Sequence, residues 1–427
     1  MSDFSFRRTY ALAVAPTLRV VPSRWVSGAV LLAALSLLGS WQHPAVGQSS
    51  PTQPSGFPAL DNPLEPDPSD PLLPNLIVDR PLSLQEQQAL RASLNQLQRE
   101  GQRQYDAGNI PRAFEIWLRE LQLRRVLGIQ EEVPALSRVG DLAWQENQTL
   151  EIRAISDRLE EIEQQIRAQP TPDYGLLLQV ADAYKTLRSR DQAIAAYLSI
   201  VQDARQRQDK TTEAAALEAL GEVHLAWFNY DQAAPVYENL LVLRQSQQDA
   251  VGEQQALLRL ATIYDETERA SDAVATRQRL VKRYRETGEL TQVPPLKIAI
   301  AAGFQQMGRL NAAVRNYQEA IAAAQAVGYV GYAADAARGL AELYLSVDRP
   351  QDALTVYRLL VDIQRQAYNT YGEMEAHDQI GQIHRSRGET EQAIASFRRG
   401  LTLAQQLSYR TEYFNEQIRL LSTGSGG

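Results

Sequence analysis

Residues 177–201 read LLQVADAYKTLRSRDQAIAAYLSIV, and the pattern of this stretch returns along the chain at a fixed step. Ala193 recurs as Ala233, Ala273, Ala313, Ala353 and Ala393, one alanine every 40 residues. Ala181, Gly221, Ala261, Ala301, Ala341 and Gly381 keep the same step, as do Tyr184, His224, Tyr264, Phe304, Tyr344 and His384. A fourth register holds Tyr197, Tyr237, Tyr317, Tyr357 and Phe397, broken by Arg277. An unvarying period in the range of about 20–50 residues is the signature of a repeat architecture.

The spacing within one unit predicts two helices. Leu177, Val180, Ala181, Tyr184 and Leu187 form one amphipathic stripe; Ala193, Ile194, Tyr197, Ile200 and Val201 form another. Slot 191 is filled by Asp191, Asp231, Ser271, Asn311, Gln351 and Glu391, and its polar character predicts helix N-caps there. Pro350 suits a first helical turn, and Gly308 and Gly388 sit where the first helix should end. The small registers allow close helix crossings, and the aromatic registers fill the space around them. A lone hairpin cannot bury its stripe, so the units stack.

Small, aromatic, alanine and aromatic at Ala181, Tyr184, Ala193 and Tyr197 resemble the tetratricopeptide repeat (TPR). The chain departs from that family in lacking the terminal proline and in using 40 residues where about 34 are usual. The resemblance covers roughly residues 83–422 and points to the long-repeat branch of the family, in exported bacterial proteins including those of cyanobacteria. It implies an all-α, right-handed α-solenoid of about eight helical hairpins with a C-terminal capping helix. It also implies a concave wall built by the first helix of each hairpin.

Residues 1–47 carry Arg7, Arg8, Arg19 and Arg24, an uncharged apolar run from Trp25 to Trp41, and small residues at Ala45-Val46-Gly47. This describes a secretory signal peptide or, uncleaved, a membrane anchor. Either places the body outside the cytoplasm, in the periplasm or the thylakoid lumen, or on the inner membrane. Residues 48–82 are expected to form a proline-rich disordered linker; residues 44–81 hold ten of the 20 prolines. Ser83 to Glu86 reads as a capping box. Gly101, Tyr105, Gly108, Ala113 and Trp117 outline a first repeat with one residue fewer in its turn. The second repeat reads as degraded: Gly140 and Trp144 hold the pattern, but Arg153 replaces the alanine and Asp157 the aromatic. Repeats three to eight are regular, residues 409–422 suit a closing helix, and residues 423–427 a loose tail.

No cysteine is present, which excludes disulfides, thiol nucleophiles and cysteine metal sites. No nucleophile motif, phosphate-binding glycine loop or HExxH occurs, so neither an enzyme nor a cofactor is expected. His224 and His384 occupy the aromatic register, and His377 lies seven residues before His384. All three are expected to be packed residues rather than metal ligands. Removing four bases and one acid with residues 1–47 leaves 39 bases against 50 acids, a net charge of −11. That balance argues against a nucleic-acid partner.

The family's first-helix register marks a candidate groove at Asp182, Lys185, Glu218, Glu222, Asp265, Glu266, Arg338, Glu342 and Arg385. No register pair supplies the lysine and asparagine of a carboxylate clamp. Asp182, Glu218, Glu222, Asp265 and Glu266 read as an acidic run suited to a basic or Arg-rich polypeptide. An interaction scaffold or assembly factor binding a protein or peptide partner is the expected function. The alternative is a membrane-anchored sensor or adaptor binding a peptide or glycan. The membrane enters only through the N-terminal segment.

Overall fold

The computed structural model describes residues 63–73 and 80–423. The signal or anchor segment, most of the spacer and the last four residues lie outside them. The described residues hold seventeen α-helices and no strand. They run as α1 Leu84–Asp106, α2 Ile110–Leu127, α3 Ile129–Gln145, α4 Thr149–Arg167, α5 Tyr174–Thr186 and α6 Arg190–Gln206. Next come α7 Lys210–Ala226, α8 Tyr230–Ser246, α9 Ala250–Glu266, α10 Ala270–Thr287, α11 Val293–Gln306 and α12 Leu310–Ala326. The series ends with α13 Val330–Ser346, α14 Pro350–Gln366, α15 Thr370–Ser386, α16 Thr390–Leu407 and α17 Thr411–Thr423. Successive helices pack on one another, so the chain is an α-solenoid of eight hairpins and a closing helix. Among the described residues no helix is long and apolar enough to cross a membrane.

The period of 40 is itself double. Helices α6–α9 and α12–α15 are each 17 residues long and are joined by three-residue turns, so the true step is 20. The middle residue of each turn is left-handed: Arg188, Gln208, Phe228, Gln248, Glu268, Asp348 and Tyr368 have φ between 53° and 59°. Gly308 and Gly388 take the same place with φ of 67° and 71°. The next N–H folds back to the carbonyl five residues earlier, as Asn229 N does to His224 O at 2.8 Å and Arg349 N to Tyr344 O at 2.8 Å. This closes the helix end and recruits the aromatic register's carbonyl. The turn Ala107–Asn109 of the first hairpin has the same three residues, so the expected one-residue shortening is absent.

Slot 191 does not cap. The second helices begin one residue earlier, after Ser189, Asn229, Arg269, Arg309, Arg349 and Glu389, and none of these six side chains caps its helix. Asp191, Asp231 and Glu391 instead lie in the first turn, where a negative charge suits the helix dipole. Side-chain caps belong to the first helices. Asp173, Asp209, Asp249 and Asn369 accept from the backbone of Leu176, Thr212, Gly252 and Gly372 at 2.9–3.0 Å. The capping box at Ser83 and Glu86 is present.

The four repeat registers are core. Tyr197, Tyr237, Tyr357 and Phe397 are buried, as are the alanines at 193, 233, 273, 313, 353 and 393. Each large side chain so buried stabilises the stack by about 1.5–3 kcal/mol. The small register is needed because rings lie on it: a methyl group added at Gly381 would fall 2.6 Å from Phe397 Cε1. On the last hairpin Phe414 of α17 is buried over Gly400, 6.5 Å from the Phe397 ring, and closes the apolar face.

The second hairpin departs from the expected register. Trp144 is 47% exposed, while Ala143, Val139 and Leu136 of α3 are buried in its place. Arg153 and Asp157 point to solvent. The stripe of α4 is intact but displaced by two residues, to Ile155, Leu159, Ile162 and Ile166. A buried Arg158 shares that stripe and grips buried Glu132 through two bonds of 2.7 and 2.9 Å. Beneath it, α3 packs directly against α5, where Gly140 accommodates the Leu187 side chain.

Residues 63–73, within the expected linker, are folded against α2. Leu64 is buried, and Leu72 and Leu73 join Leu90, Leu94 and Leu123. Gln122 donates to the carbonyl of Pro63 at 2.9 Å, and Arg119 pairs with Asp70. Proline forbids a helix here but not a strap of successive turns with apolar and ionic anchors.

Candidate functional site

Glu218 and Glu222 stand one turn apart on α7, on the stripe left free once Leu217, Leu220 and Val223 enter the core. Opposite them α9 presents Gln255, Leu258, Arg259 and Thr262, and Tyr237, Leu240 and Arg244 of α8 form the floor. Together they line a cleft of about 460 Å³. Burial pushes the Tyr237 hydroxyl up to about 12, with Arg259 opposing that rise and Glu222 and Glu218 adding to it.

Arg244 organises this cleft. It donates to Glu218 Oε2 at 3.0 Å and to Asp249 Oδ2 at 3.0 Å. Asp249 uses its other oxygen to cap α9 at Gly252, whose missing side chain lets Arg244 pass: a methyl group there would lie 2.7 Å from Arg244 Cδ. The Arg244 Nε is buried without a partner, and Arg259 makes no ion pair among the described residues. Leu258 is 42% exposed on the same wall. The cleft therefore offers two carboxylates, two guanidiniums and an apolar side chain.

The nine expected groove residues fall into separate groups. Lys185 lies 3.4 Å from Asp182 and 3.5 Å from Glu222, so these three join the α7 wall to α5. Asp182 also accepts from the Tyr197 hydroxyl, whose pKa is raised by burial and by that carboxylate. Asp265 pairs with Arg277 and lines a smaller cavity of about 260 Å³ with Ala273, Ala302 and Gln306. Glu266 faces a different hollow, beside Phe228, Tyr230 and Glu268 at the hairpin turns. Arg338 pairs with Asp335 at 3.2 Å one turn from Glu342, and Arg385 reaches Gln417 of α17. The acids thus do not make one continuous run, and four of the five meet a cation.

Arg277 explains the break in its register. The arginine side chain stays largely covered, 12% exposed, and its guanidinium pairs with Asp265. Sequence reading missed Arg244, Arg259 and Leu258. Register analysis of the first helices cannot reach Arg244, because it comes from a second helix. Among the described residues no group of three or more His, Asp or Glu could hold a metal ion.

Residues 332–406 and 255–287 match two family models of the tetratricopeptide repeat. Over these residues the chain is similar to tetratricopeptide repeats. The matches fall on α9–α10 and on α13–α16, within the regular part of the solenoid. No curated protein matches the sequence. Several solved structures are similar. BtubC from P. vanneervenii is 18% identical, covering 51% of this chain and 92% of that one with a TM-score of 0.36. The apo form of RapI is 11% identical over 77% of this chain and 97% of its own, with a TM-score of 0.41. A STAND protein with a tetratricopeptide repeat sensor from Pyrococcus horikoshii is 14% identical over 73% of this chain and 50% of its own, with a TM-score of 0.40.

Proposed function

We propose that this chain is an extracytoplasmic interaction scaffold or assembly factor that holds a partner polypeptide along its first-helix face, anchored in the α7–α9 cleft. The observation that carries the reading is Arg244, which has an unpartnered buried Nε and lines a cleft walled by Glu218, Glu222, Arg259 and exposed Leu258. A groove with both charges and an apolar wall suits an extended peptide, whose backbone and side chains supply donors, acceptors and methyl groups together. Basic side chains of the partner would compete with Lys185 for Glu222 and with Arg244 for Glu218. Export rests on the arginines before Trp25–Trp41 and the small residues that follow.

The test is capture. The immobilised full chain, exposed to membrane and periplasmic extract, should retain a protein that the Glu218→Lys/Glu222→Lys variant loses. Raising salt should weaken that retention. Equal retention by both chains would remove the cleft from the account. Export is tested by fractionation of a C-terminally tagged chain: a mature start at Gln48 or membrane retention is expected, and a cytosolic chain beginning at Met1 would contradict it.

A further inference from the structure

A second cleft, on the side lined by second helices, lies between α14, α15 and α16. Arg358, Asp362 and Arg365 of α14, His377 and His384 of α15, and Ser396 and Arg399 of α16 supply its polar lining. Val361, Ile380 and Ala395 supply its apolar lining, and the volume is about 420 Å³.

The charges here are not balanced internally. Arg358 and Arg399 make no ion pair or side-chain hydrogen bond among the described residues, and neither belongs to the core. Arg365 is held by Glu373 at 2.8 Å. The one carboxylate lining the cleft, Asp362, lies 3.4 Å from Arg365. At the cleft wall His377 is 5% exposed, and its Nδ1 is buried without a partner. Burial is the main reason its pKa is lowered, and the positive charges of Arg399 and Arg365 add to the effect while Glu373 opposes it. Two unpaired guanidiniums around one hollow are the complement of an oxyanion, and the orphaned ring nitrogen adds a donor in the tautomer that carries its proton on Nδ1. The hollow far exceeds the roughly 30 Å³ that a water occupies in the liquid, so an oxyanion would leave the apolar wall for an organic body.

We propose that this cleft binds a small phosphomonoester, with Arg358 and Arg399 on the phosphate, His377 Nδ1 hydrogen-bonded at its edge, and Val361, Ile380 and Ala395 against its organic body. The site is independent of the α7–α9 cleft and does not rest on the polypeptide-scaffold reading.

Calorimetric titration of the full chain with glycerol phosphate and with inorganic phosphate tests it, followed in parallel by the His377 ring resonance. Saturable binding of both is expected, tighter for the monoester, with the His377 signal moving along the same curve. Arg358→Gln and Arg399→Gln, both exposed and free to change without unfolding the core, should each weaken binding about tenfold or more. Arg315→Gln, another exposed arginine on α12, should leave it unchanged. Absence of saturable binding overturns the proposal, as does an equal loss in the Arg315 variant, which would indicate general charge attraction. Equal affinity for inorganic phosphate would overturn the role of the apolar wall.

Discussion

Asp70 and Arg119 meet through two bonds, Nε to Oδ2 at 2.7 Å and Nη2 to Oδ1 at 3.0 Å, and so fasten a proline-rich strap to the second helix of the first hairpin. The guanidinium of Arg119 is the main reason the Asp70 carboxyl titrates below its usual range. A carboxyl depressed in the folded state stabilises docking above its ordinary pKa of about 3.9 and loses that contribution as pH falls through the lowered value. Hydrogen exchange at Leu72 and Leu73 should therefore be steady from neutral pH to about 4, after correction for intrinsic rates, and accelerate below it. Asp70→Asn should raise exchange there about fivefold at pH 7, equivalent to about 1 kcal/mol. Unchanged exchange would mean that the leucines and the Gln122–Pro63 bond hold the strap without the ion pair.

Two glycines separate packing from propensity. Gly381→Ala places a methyl group 2.6 Å from Phe397, whose ring is backed by Phe414, so the substitution should cost about 1–3 kcal/mol in chemical denaturation. Gly331→Ala, in the first turn of α13 with open space around it, should be neutral or gain up to about 1 kcal/mol. Equal effects would mean that the small register does not mark a close crossing.

The left-handed turn residue predicts a gain. Phe228 has φ of 57° and is 76% exposed, so its side chain contributes little packing while its backbone is strained. Phe228→Gly should raise stability by about 1 kcal/mol, read from the denaturation midpoint. A loss would show that its contact with Tyr230, at 6.3 Å between rings, outweighs the strain.

Buried charge holds the irregular second hairpin. Glu132→Ala would strip two of the three carboxylate bonds of buried Arg158, leaving the one to Glu161 at 2.6 Å, and should cost about 3 kcal/mol. Glu132→Ala with Arg158→Met removes both charges and should recover much of that loss. No recovery would mean that the pair supplies net attraction rather than mutual neutralisation.

Much of the fold was legible because helices α5–α16 repeat four side-chain registers without slippage, and period alone then identifies core and solvent faces. The 20-residue half-step was hidden, since Arg188, Phe228, Glu268 and Asp348 adopt a backbone conformation that their side chains do not advertise. The caps were misplaced because acids favour a first turn through the dipole as well as an N-cap through a hydrogen bond. Trp144 was misread for want of a period: with α4 shifted by two residues, α3 meets α5 instead. The strap was hidden by its prolines, which mark where a helix cannot form but not what Leu64 and Asp70 touch. At the candidate site Glu218 and Glu222 were placed on the free face of α7, but their cationic neighbours come from other helices and other registers.

The central claim is that a polypeptide partner lies in the α7–α9 cleft. Hydrogen exchange of the full chain, with and without its captured partner, tests it most directly. Added protection at residues 218–226 of α7 and 252–262 of α9, absent from the Glu218→Lys/Glu222→Lys variant, is the expected result. Protection confined to other helices, or equal in the variant, would contradict it.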